Sequence, residues 1–401
     1  MTDPINACLE VKQEYDRPDS PSSVGWTRPN RVLLADRDNP LPLDCGAALA
    51  PVTIEYETYG RLSPARDNAI FILHALSGDA HAAGWDAHWE KDNRPWRKDR
   101  PGWWDSAIGP KKVFDTDRYF IICATVLGSC YGTTGPWERN PDTGKPYGLD
   151  FPVITIDDIV RLHVRLQDYL GIEKLLAVAG GSLGGQQALA WALKFPARVQ
   201  SAIILAASAR LGAQGLAFNA VGRQAIFNDP NFNDGQYYGG KHPDGGLELA
   251  RMLGHITYLS YESMEGKFGR RLQEGNQPCF RLHRDFSVES YLEHQGKAFV
   301  QRFDANSYLY LTRAMDYYDA AVYGGGDLVE ACATLQARLQ LIAFSSDWLY
   351  PIISIRELAR AAVANYRPAS YHEIKSGYGH DAFLLETDKI KPLVASFLNT
   401  L

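Results

Sequence analysis

A serine between paired glycines is the clearest chemical feature of this sequence. Ser182 lies in the hexapeptide GGSLGG, between an apolar run over 175–179 and a helix-like stretch over 183–194. A sharp turn between a strand and a helix presents such a serine hydroxyl clear of the backbone, as a nucleophile requires. Gly180 and Gly184 flank the turn because a side chain there would collide with the adjacent strand or helix. The pattern predicts a nucleophilic serine, with helix amides directed at developing negative charge.

Two downstream residues can supply the base and the acid that a serine hydroxyl needs at neutral pH. Asp347 ends the apolar run over 341–346, and His380 lies in a glycine-rich loop after a further predicted strand. Taken singly, the aspartate could be a turn residue and the histidine a loop residue. Together they follow the order serine, acid, histidine of the α/β-hydrolases. We therefore predict a catalytic triad of Ser182, Asp347 and His380.

The segment 74–79 follows another apolar run, at the place where this kind of fold forms half of its oxyanion hole. The backbone amides of Leu76 and Leu183 are the candidate donors. Each donor of this kind stabilises a tetrahedral transition state by roughly 3 kcal/mol. We interpret the side chain of His74 as a packing group that holds the loop.

Apolar runs and helical periodicity predict the elements that position these residues. The runs over 69–74 and 119–123 suit strands buried on both faces of a parallel sheet. Helical spacing over 155–170 predicts a helix with Thr155 as its cap. Further predictions are an antiparallel edge strand over 52–59, strands over 175–179, 201–207, 339–345 and 370–374, and helices over 183–194 and 392–401. This alternation predicts an α/β-hydrolase fold with a mostly parallel central sheet.

The interval 208–329 interrupts the alternation with helix-like segments and polar loops. We interpret it as a mainly helical lid insertion over the carboxyl ends of the strands. The catalytic domain then comprises 31–207 and 330–401. Residues 1–30, which carry several prolines and charges, are predicted to be an extended or disordered lead-in.

Composition narrows the classes of protein further. The 401 residues carry a net charge of −6, which argues against nucleic acid as the main partner because phosphate binding needs a concentrated basic surface. The sequence has no 18-residue apolar run and no signal-peptide pattern, so we expect no membrane segment and a cytoplasmic protein. The six cysteines form no C-x-x-C pair and the ten histidines show no metal-binding spacing, so we predict free thiols and no metal.

Several longer motifs resemble one family. They are HALSGDAH from residue 74, VLGSCYGTTGP from 126, GGSLGG from 180, ARMLG from 250, NSYLYL from 306 and GHD from 379. These ordered motifs are similar to those of the homoserine O-acetyltransferases of methionine biosynthesis. The resemblance extends from about residue 35 to the end of the chain.

The resemblance implies a ping-pong acyl transfer with no permanently bound cofactor. Ser182 would take an acetyl group from the co-substrate acetyl-CoA, and the hydroxyl of L-homoserine, deprotonated by His380, would remove it. The resemblance also implies that Arg251, helped by Tyr258, binds the substrate carboxylate and that Asp381 holds its ammonium group. A zwitterion in a dry pocket needs one fixed cation and one fixed anion, and the planar fork of arginine suits a carboxylate. The family further implies a homodimer.

The resemblance also bears on the acyl donor. Relatives that use succinyl-CoA tend to carry an arginine two residues after the triad aspartate, where this chain has Leu349. An apolar side chain offers the extra carboxylate no partner, which favours acetyl-CoA. Succinyl-CoA as donor, L-serine as acceptor and a plain serine esterase remain alternatives, because the same triad serves all of them. A non-catalytic binding protein is disfavoured by the intact triad.

Overall fold

Apolar runs form the strands of an eight-stranded central sheet. The computed structural model describes residues 15–280, 282 and 284–401. The strands are β1 (Trp26–Thr27), β2 (Asn30–Ala35), β3 (Leu41–Pro42), β4 (Ala48–Leu49), β5 (Val52–Tyr59), β6 (Ala69–Leu73), β7 (Trp85–Asp86), β8 (Ile108–Gly109), β9 (Phe114–Asp115), β10 (Phe120–Ala124), β11 (Ala177–Gly181), β12 (Ser201–Leu205), β13 (Arg338–Phe344) and β14 (Ala369–Ile374).

The central sheet has the strand order β14-β13-β12-β11-β6-β10-β5-β2. Neighbours are parallel from β14 to β10, and the β10–β5 and β5–β2 pairs are antiparallel. The predicted mostly parallel sheet is therefore confirmed. The prediction that 52–59 forms the edge was wrong, because β2 pairs with β5 and lies outside it. Only one residue of β2 is fully buried, so its apolar pattern is too weak to predict a strand.

Helices cover both faces of this sheet. They are α1 (Ile156–Tyr169), α2 (Leu183–Lys194), α3 (Ala213–Phe227), α4 (Asp244–Tyr258), α5 (Tyr261–Lys267), α6 (Ser287–Val300), α7 (Ala305–Tyr317), α8 (Leu328–Ala333), α9 (Ile352–Ala364), α10 (Ala382–Leu385) and α11 (Thr387–Leu398). Successive side chains of a strand point to opposite faces. Accordingly, Phe71 of β6 packs in one apolar cluster with Trp191 of α2, whereas Ile70 and Ile72 pack in a second cluster with Val394 of α11.

Two helices show how local sequence and tertiary packing share control. The hydroxyl of Thr155 accepts the amide of Asp158, whose carboxylate accepts the amide of Thr155, so the predicted cap of α1 is confirmed. The C-terminal helix begins earlier than predicted. Pro392, expected in its first turn, is the sixth residue of α11. Burial of Ile390 and Val394 against the sheet offsets the backbone hydrogen bond that an internal proline removes.

The helices α3 to α8 lie between β12 and β13, and we call this segment the helical insertion. The last of them, α8, crosses the predicted boundary at residue 329. Of the predicted lead-in 1–30, residues 1–14 lie outside the described residues, and β1 in the remainder pairs with β7. None of the described helices is long and apolar enough to cross a membrane.

Candidate active site

Ser182 occupies a strained turn between β11 and α2. Its backbone adopts φ 59° and ψ −126°, a conformation that residues other than glycine rarely adopt. A Cβ added at Gly180 would lie 2.5 Å from the carbonyl oxygen of Leu73, and one at Gly184 would lie 2.0 Å from the same atom. The prediction that these two positions must be glycine is confirmed. The close approach of β6 and α2 to the turn therefore fixes the position of the Cβ atom of Ser182.

Asp347 and His380 meet beyond the carboxyl ends of two neighbouring strands. Asp347 follows β13, and His380 follows β14 in a short 3-10 turn. The Nδ1 atom of His380 lies 2.8 Å from Oδ2 of Asp347, and both side chains are buried. The other carboxylate oxygen of Asp347, Oδ1, accepts the amides of Leu349 at 3.0 Å and Tyr350 at 2.9 Å. The aspartate is thus fixed in place and orients the imidazole.

The surroundings of His380 favour its charged form. Burial lowers the pKa of His380, but the charge and the hydrogen bond of Asp347 outweigh burial, so the pKa lies above its ordinary value of 6.5. The Nε2 atom of His380 is buried and has no hydrogen-bond partner among the residues that the structure describes. A ring with one nitrogen held by a carboxylate and the other unpartnered is prepared to accept a proton.

Aromatic rings enclose this imidazole. The ring of Tyr350 stacks on it with centroids 5.1 Å apart and an interplanar angle of 20°. Phe383 packs edge-on at 5.7 Å, and the ring of Tyr258 lies at 6.1 Å. Sequence reasoning missed Tyr350 and Phe383, although Tyr350 follows the predicted acid by three residues. Such a shell excludes water and strengthens the electrostatic interactions within it.

A small cavity of about 40 Å³ lies at the serine. Ser182 lines it together with Leu76, Leu349 and Tyr258. The helical insertion supplies further lining residues that sequence reasoning did not find, namely Phe218, Asn219, Tyr308 and Met315. In the described part of the chain, no cluster of three or more His, Cys, Asp or Glu side chains could hold a metal ion.

The two predicted oxyanion donors lie next to this cavity. Leu183 is the first residue of α2, so its amide has no acceptor within the helix. Within the described ranges, neither this amide nor that of Leu76 donates a hydrogen bond. The loop of Leu76 is held by His74, whose Nε2 accepts the amide of Val126 at 3.0 Å while Nδ1 donates to the carbonyl of Ala75 at 2.7 Å. Burial lowers the pKa of His74, as this neutral arrangement requires.

Arg251 of α4 is a cation in contact with aromatic rings. Its guanidinium carbon lies 5.5 Å from the ring centroid of Tyr258 and 4.6 Å from that of Phe299. Arg251 forms no salt bridge within the part of the chain that the structure describes, and its Nε has no partner there. Burial lowers the pKa of Arg251 and raises that of Asp381, the residue after His380. Both charges would therefore gain from a ligand of opposite charge.

The fold defines a class of protein, the α/β-hydrolases, and the arrangement of Ser182, Asp347 and His380 is of the kind that can pass an acyl group through a serine. Residues 68–387 match the family model described as the alpha/beta hydrolase fold. The homoserine O-acetyltransferase of Methanohalobium evestigatum is 52% identical to this chain over 359 residues, which span 90% of this chain and 71% of that protein.

Solved structures give a similar result. The crystal structure of homoserine O-acetyltransferase from Bacillus anthracis matches with a TM-score of 0.84 at 30% identity, covering 93% of this chain and 98% of that one. The crystal structure of esterase E22 matches with a TM-score of 0.82, also at 30% identity, covering 93% and 100%. This chain belongs to the homoserine O-acetyltransferase family of the α/β-hydrolase fold, as its sequence motifs predicted. It is an acyltransferase.

Proposed function

We propose that the protein transfers an acetyl group from acetyl-CoA to the hydroxyl of L-homoserine, a reaction of methionine biosynthesis. The observation that carries the proposal is Arg251, a cation without a salt bridge in the described residues, whose guanidinium carbon lies 5.5 Å from the ring centroid of Tyr258 in the wall of the Ser182 cavity. A simple ester has no carboxylate to bind there, whereas an amino acid does. Small molecules are thus the expected partners, and no permanently bound cofactor takes part.

The first half-reaction forms an acetyl-enzyme. The Oγ of Ser182 attacks the thioester carbonyl of acetyl-CoA while Nε2 of His380 accepts the hydroxyl proton. The amides of Leu76 and Leu183 stabilise the resulting oxyanion. Collapse of the tetrahedral intermediate breaks the carbon–sulfur bond, and His380 returns the proton to the CoA thiolate. The acetyl group remains as an ester on Ser182.

The second half-reaction reverses these roles. His380 takes the proton of the homoserine hydroxyl, whose oxygen attacks the acetyl ester. The bond to Ser182 breaks, the serine recovers its proton, and O-acetyl-L-homoserine leaves. Arg251 and Tyr258 bind the carboxylate, and Asp381 binds the ammonium group. Two charged anchors fix the reach of the hydroxyl, so the amino acid is held in an attacking geometry.

Leu349 supports acetyl-CoA as the donor. Its side chain lines the same cavity as Ser182 and Leu76. An apolar wall accommodates a methyl group, while the extra carboxylate of a succinyl group would be desolvated there without a partner. L-serine, which is one methylene shorter than homoserine, is disfavoured by only about 1–3 kcal/mol.

The organisation of the molecule fits this chemistry. We propose that 31–207 and 330–401 form the catalytic domain and that 208–329 serves as a lid.

We further propose a cytoplasmic homodimer. Helices α3 and α4 pack together and expose apolar side chains, among them Val221 (57% exposed) and Leu249 (54% exposed). Sedimentation equilibrium tests the dimer: a Val221→Glu, Leu249→Glu double variant is expected to sediment as a monomer, and a monomeric parent would contradict the proposal.

A serine esterase is the second candidate, because esterase E22 matches the structure as well as the acetyltransferase from Bacillus anthracis does. The two candidates differ in what removes the acetyl group from Ser182. The purified protein is incubated with acetyl-CoA in three parallel samples, which contain L-homoserine, L-serine or no acceptor other than water. The same series with succinyl-CoA tests the alternative donor. With acetyl-CoA and homoserine we expect CoA and O-acetylhomoserine to form in equal amounts, and with water alone we expect CoA to be released slowly. Equal CoA release with and without homoserine would favour the esterase.

A further inference from the structure

A side chain of the helical insertion reaches the loop that carries Leu76. Arg302 lies in the turn between α6 and α7, and its Nη1 donates to the carbonyl oxygen of Ser77 at 3.0 Å. A second arginine holds the other end of this loop. There Arg97 pairs with the carboxylate of Asp79 at 2.6 Å. Residues 77–79, which follow Leu76, are therefore held at both ends by arginine side chains.

The partners of Arg302 are neutral. Its Nη1 also donates to the hydroxyl of Tyr131 at 2.7 Å, and its guanidinium carbon lies 5.2 Å from the ring centroid of Phe299. Within the described ranges Arg302 forms no salt bridge. Burial lowers the pKa of Arg302, but the interaction with Tyr131 and the charge of Asp79 outweigh burial, so the pKa lies above its ordinary value and the guanidinium stays charged. Its hydrogen bond to Ser77 holds the backbone beside Leu76.

One aromatic ring connects this contact to the substrate-binding cation. Phe299 of α6 lies 4.6 Å from the guanidinium carbon of Arg251 and 5.2 Å from that of Arg302. The same short segment of the insertion therefore touches the proposed carboxylate site and the proposed oxyanion loop. Arg302 is not one of the residues to which the family resemblance assigns a role in substrate binding.

We propose that Arg302 is a positioning residue that aligns the Leu76 amide with the oxyanion by holding the carbonyl of Ser77. The proposal rests on the proposed function, because it takes Leu76 as an oxyanion donor. Both half-reactions pass through an oxyanion, so loss of Arg302 must slow both. A residue that only bound the homoserine carboxylate would slow only the second.

Separate measurement of the two half-reactions tests this role. Stopped-flow acetylation is followed with 4-nitrophenyl acetate and with acetyl-CoA, and discharge of the acetyl-enzyme by homoserine is followed by quenched-flow mass spectrometry. We expect Arg302→Met to slow acetylation and discharge alike by about 10- to 100-fold. The KM for homoserine should stay within about threefold, since substrate binding is not its role. Arg302→Lys, which keeps one donor, should recover part of both rates.

Tyr131→Phe is the matched control, because it removes the other hydrogen bond of Arg302 and leaves the Ser77 contact. We expect both of its rates to stay within about threefold of the parent. An unchanged acetylation rate in Arg302→Met, with a raised KM for homoserine, would overturn the proposal. If Arg302→Met does not fold, Arg302→Lys decides: a parental acetylation rate together with a raised KM for homoserine in that variant would equally overturn it. A parent that is acetylated by 4-nitrophenyl acetate but not by acetyl-CoA would contradict the proposed function alone.

Discussion

The central sheet and the helical insertion satisfy their polar groups in different ways. At the sheet, the carboxylate of Asp347 has a partner for each oxygen: His380 on one, and the amides of Leu349 and Tyr350 on the other. In the insertion, Arg251 and Arg302 lack a carboxylate partner among the described residues. At the sheet the carboxylate of Asp347 is fully partnered, whereas the insertion contains both a buried ion pair, Arg223 with Asp316, and cations that a ligand or a neighbouring loop must compensate.

This difference separates reactivity from recognition. The hydrogen bond between Asp347 and His380 orients the imidazole before a substrate arrives, and this preorganisation avoids reorganisation during the reaction. A receptor for an amino acid needs the opposite arrangement, since a charge already paired within the protein gains little from the substrate. Substitutions in the two regions should therefore differ in two ways: in how far they lower the rate, and in which half-reaction they slow.

The largest effect is expected at the sheet. Ser182→Ala removes the proposed nucleophile, and we expect kcat to fall by about 10⁵- to 10⁶-fold. Coupled spectrophotometric detection of free CoA measures it. The matched control is Ser201→Ala, another buried serine of the same sheet, whose hydroxyl donates to the carbonyl of Leu176. It should lose about 1 kcal/mol of stability and keep its activity. Residual transfer near the parental rate in Ser182→Ala would reject the nucleophile.

Asp347→Asn should lower kcat by about 10⁴-fold, because the imidazole loses its orienting partner. The pH profile carries a further signature. His380 acts as a base only when neutral, so parental activity is lost as pH falls through a pKa above 6.5. Without the carboxylate of Asp347, burial lowers this pKa and only the charge of Asp381 opposes burial, so the acid limb should move to lower pH. An acid limb that moves to higher pH, or stays at the same pH, would show that another group sets the pH profile.

The insertion should give a smaller and more selective effect. Arg251→Met removes the cation for the substrate carboxylate, and we expect kcat/KM for homoserine to fall by about 10²- to 10³-fold. Acetylation by acetyl-CoA should change far less. Arg313→Met is the control: this half-exposed arginine of the same insertion already lies 3.6 Å from Asp316. Stopped-flow traces of both half-reactions measure the contrast, and equal losses in both would refute the separation of roles.

The smallest effect concerns the acyl donor. Leu349→Arg places a guanidinium in the cavity wall, and we expect the ratio of kcat/KM for succinyl-CoA to that for acetyl-CoA to rise by about tenfold. Leu349→Met preserves the volume and should leave the ratio unchanged. Competition between the two donors, read by mass spectrometry of the products, measures the ratio directly. An unchanged ratio in Leu349→Arg would mean that another residue selects the donor.

The same division explains what could be predicted from the sequence. The Ser182 turn was predictable because its strand, glycines and helix lie within twenty consecutive residues. Asp347 was predictable because it follows a strong apolar run, and His380 because it lies in a glycine-rich loop after a predicted strand. Thr155 was predictable as a cap because its partner Asp158 is three residues away. Local signals of this kind suffice for elements and for residues at strand ends.

Contacts between distant segments were not predictable. Arg251 came only from the family resemblance, since nothing in its neighbourhood distinguishes it from other basic residues. Arg302 and Ser77 are 225 positions apart, and no periodicity relates them. The two-residue strand β1 is too short to leave an apolar pattern.

Mass spectrometry of the Ser182 peptide is the most decisive measurement. The purified protein is incubated with acetyl-CoA alone, digested, and compared with a sample to which L-homoserine is added before digestion. We expect one acetyl group on Ser182 in the first sample, and in the second an unmodified peptide together with O-acetylhomoserine. An unmodified Ser182 in the first sample, while O-acetylhomoserine still forms in the second, would contradict transfer through the serine.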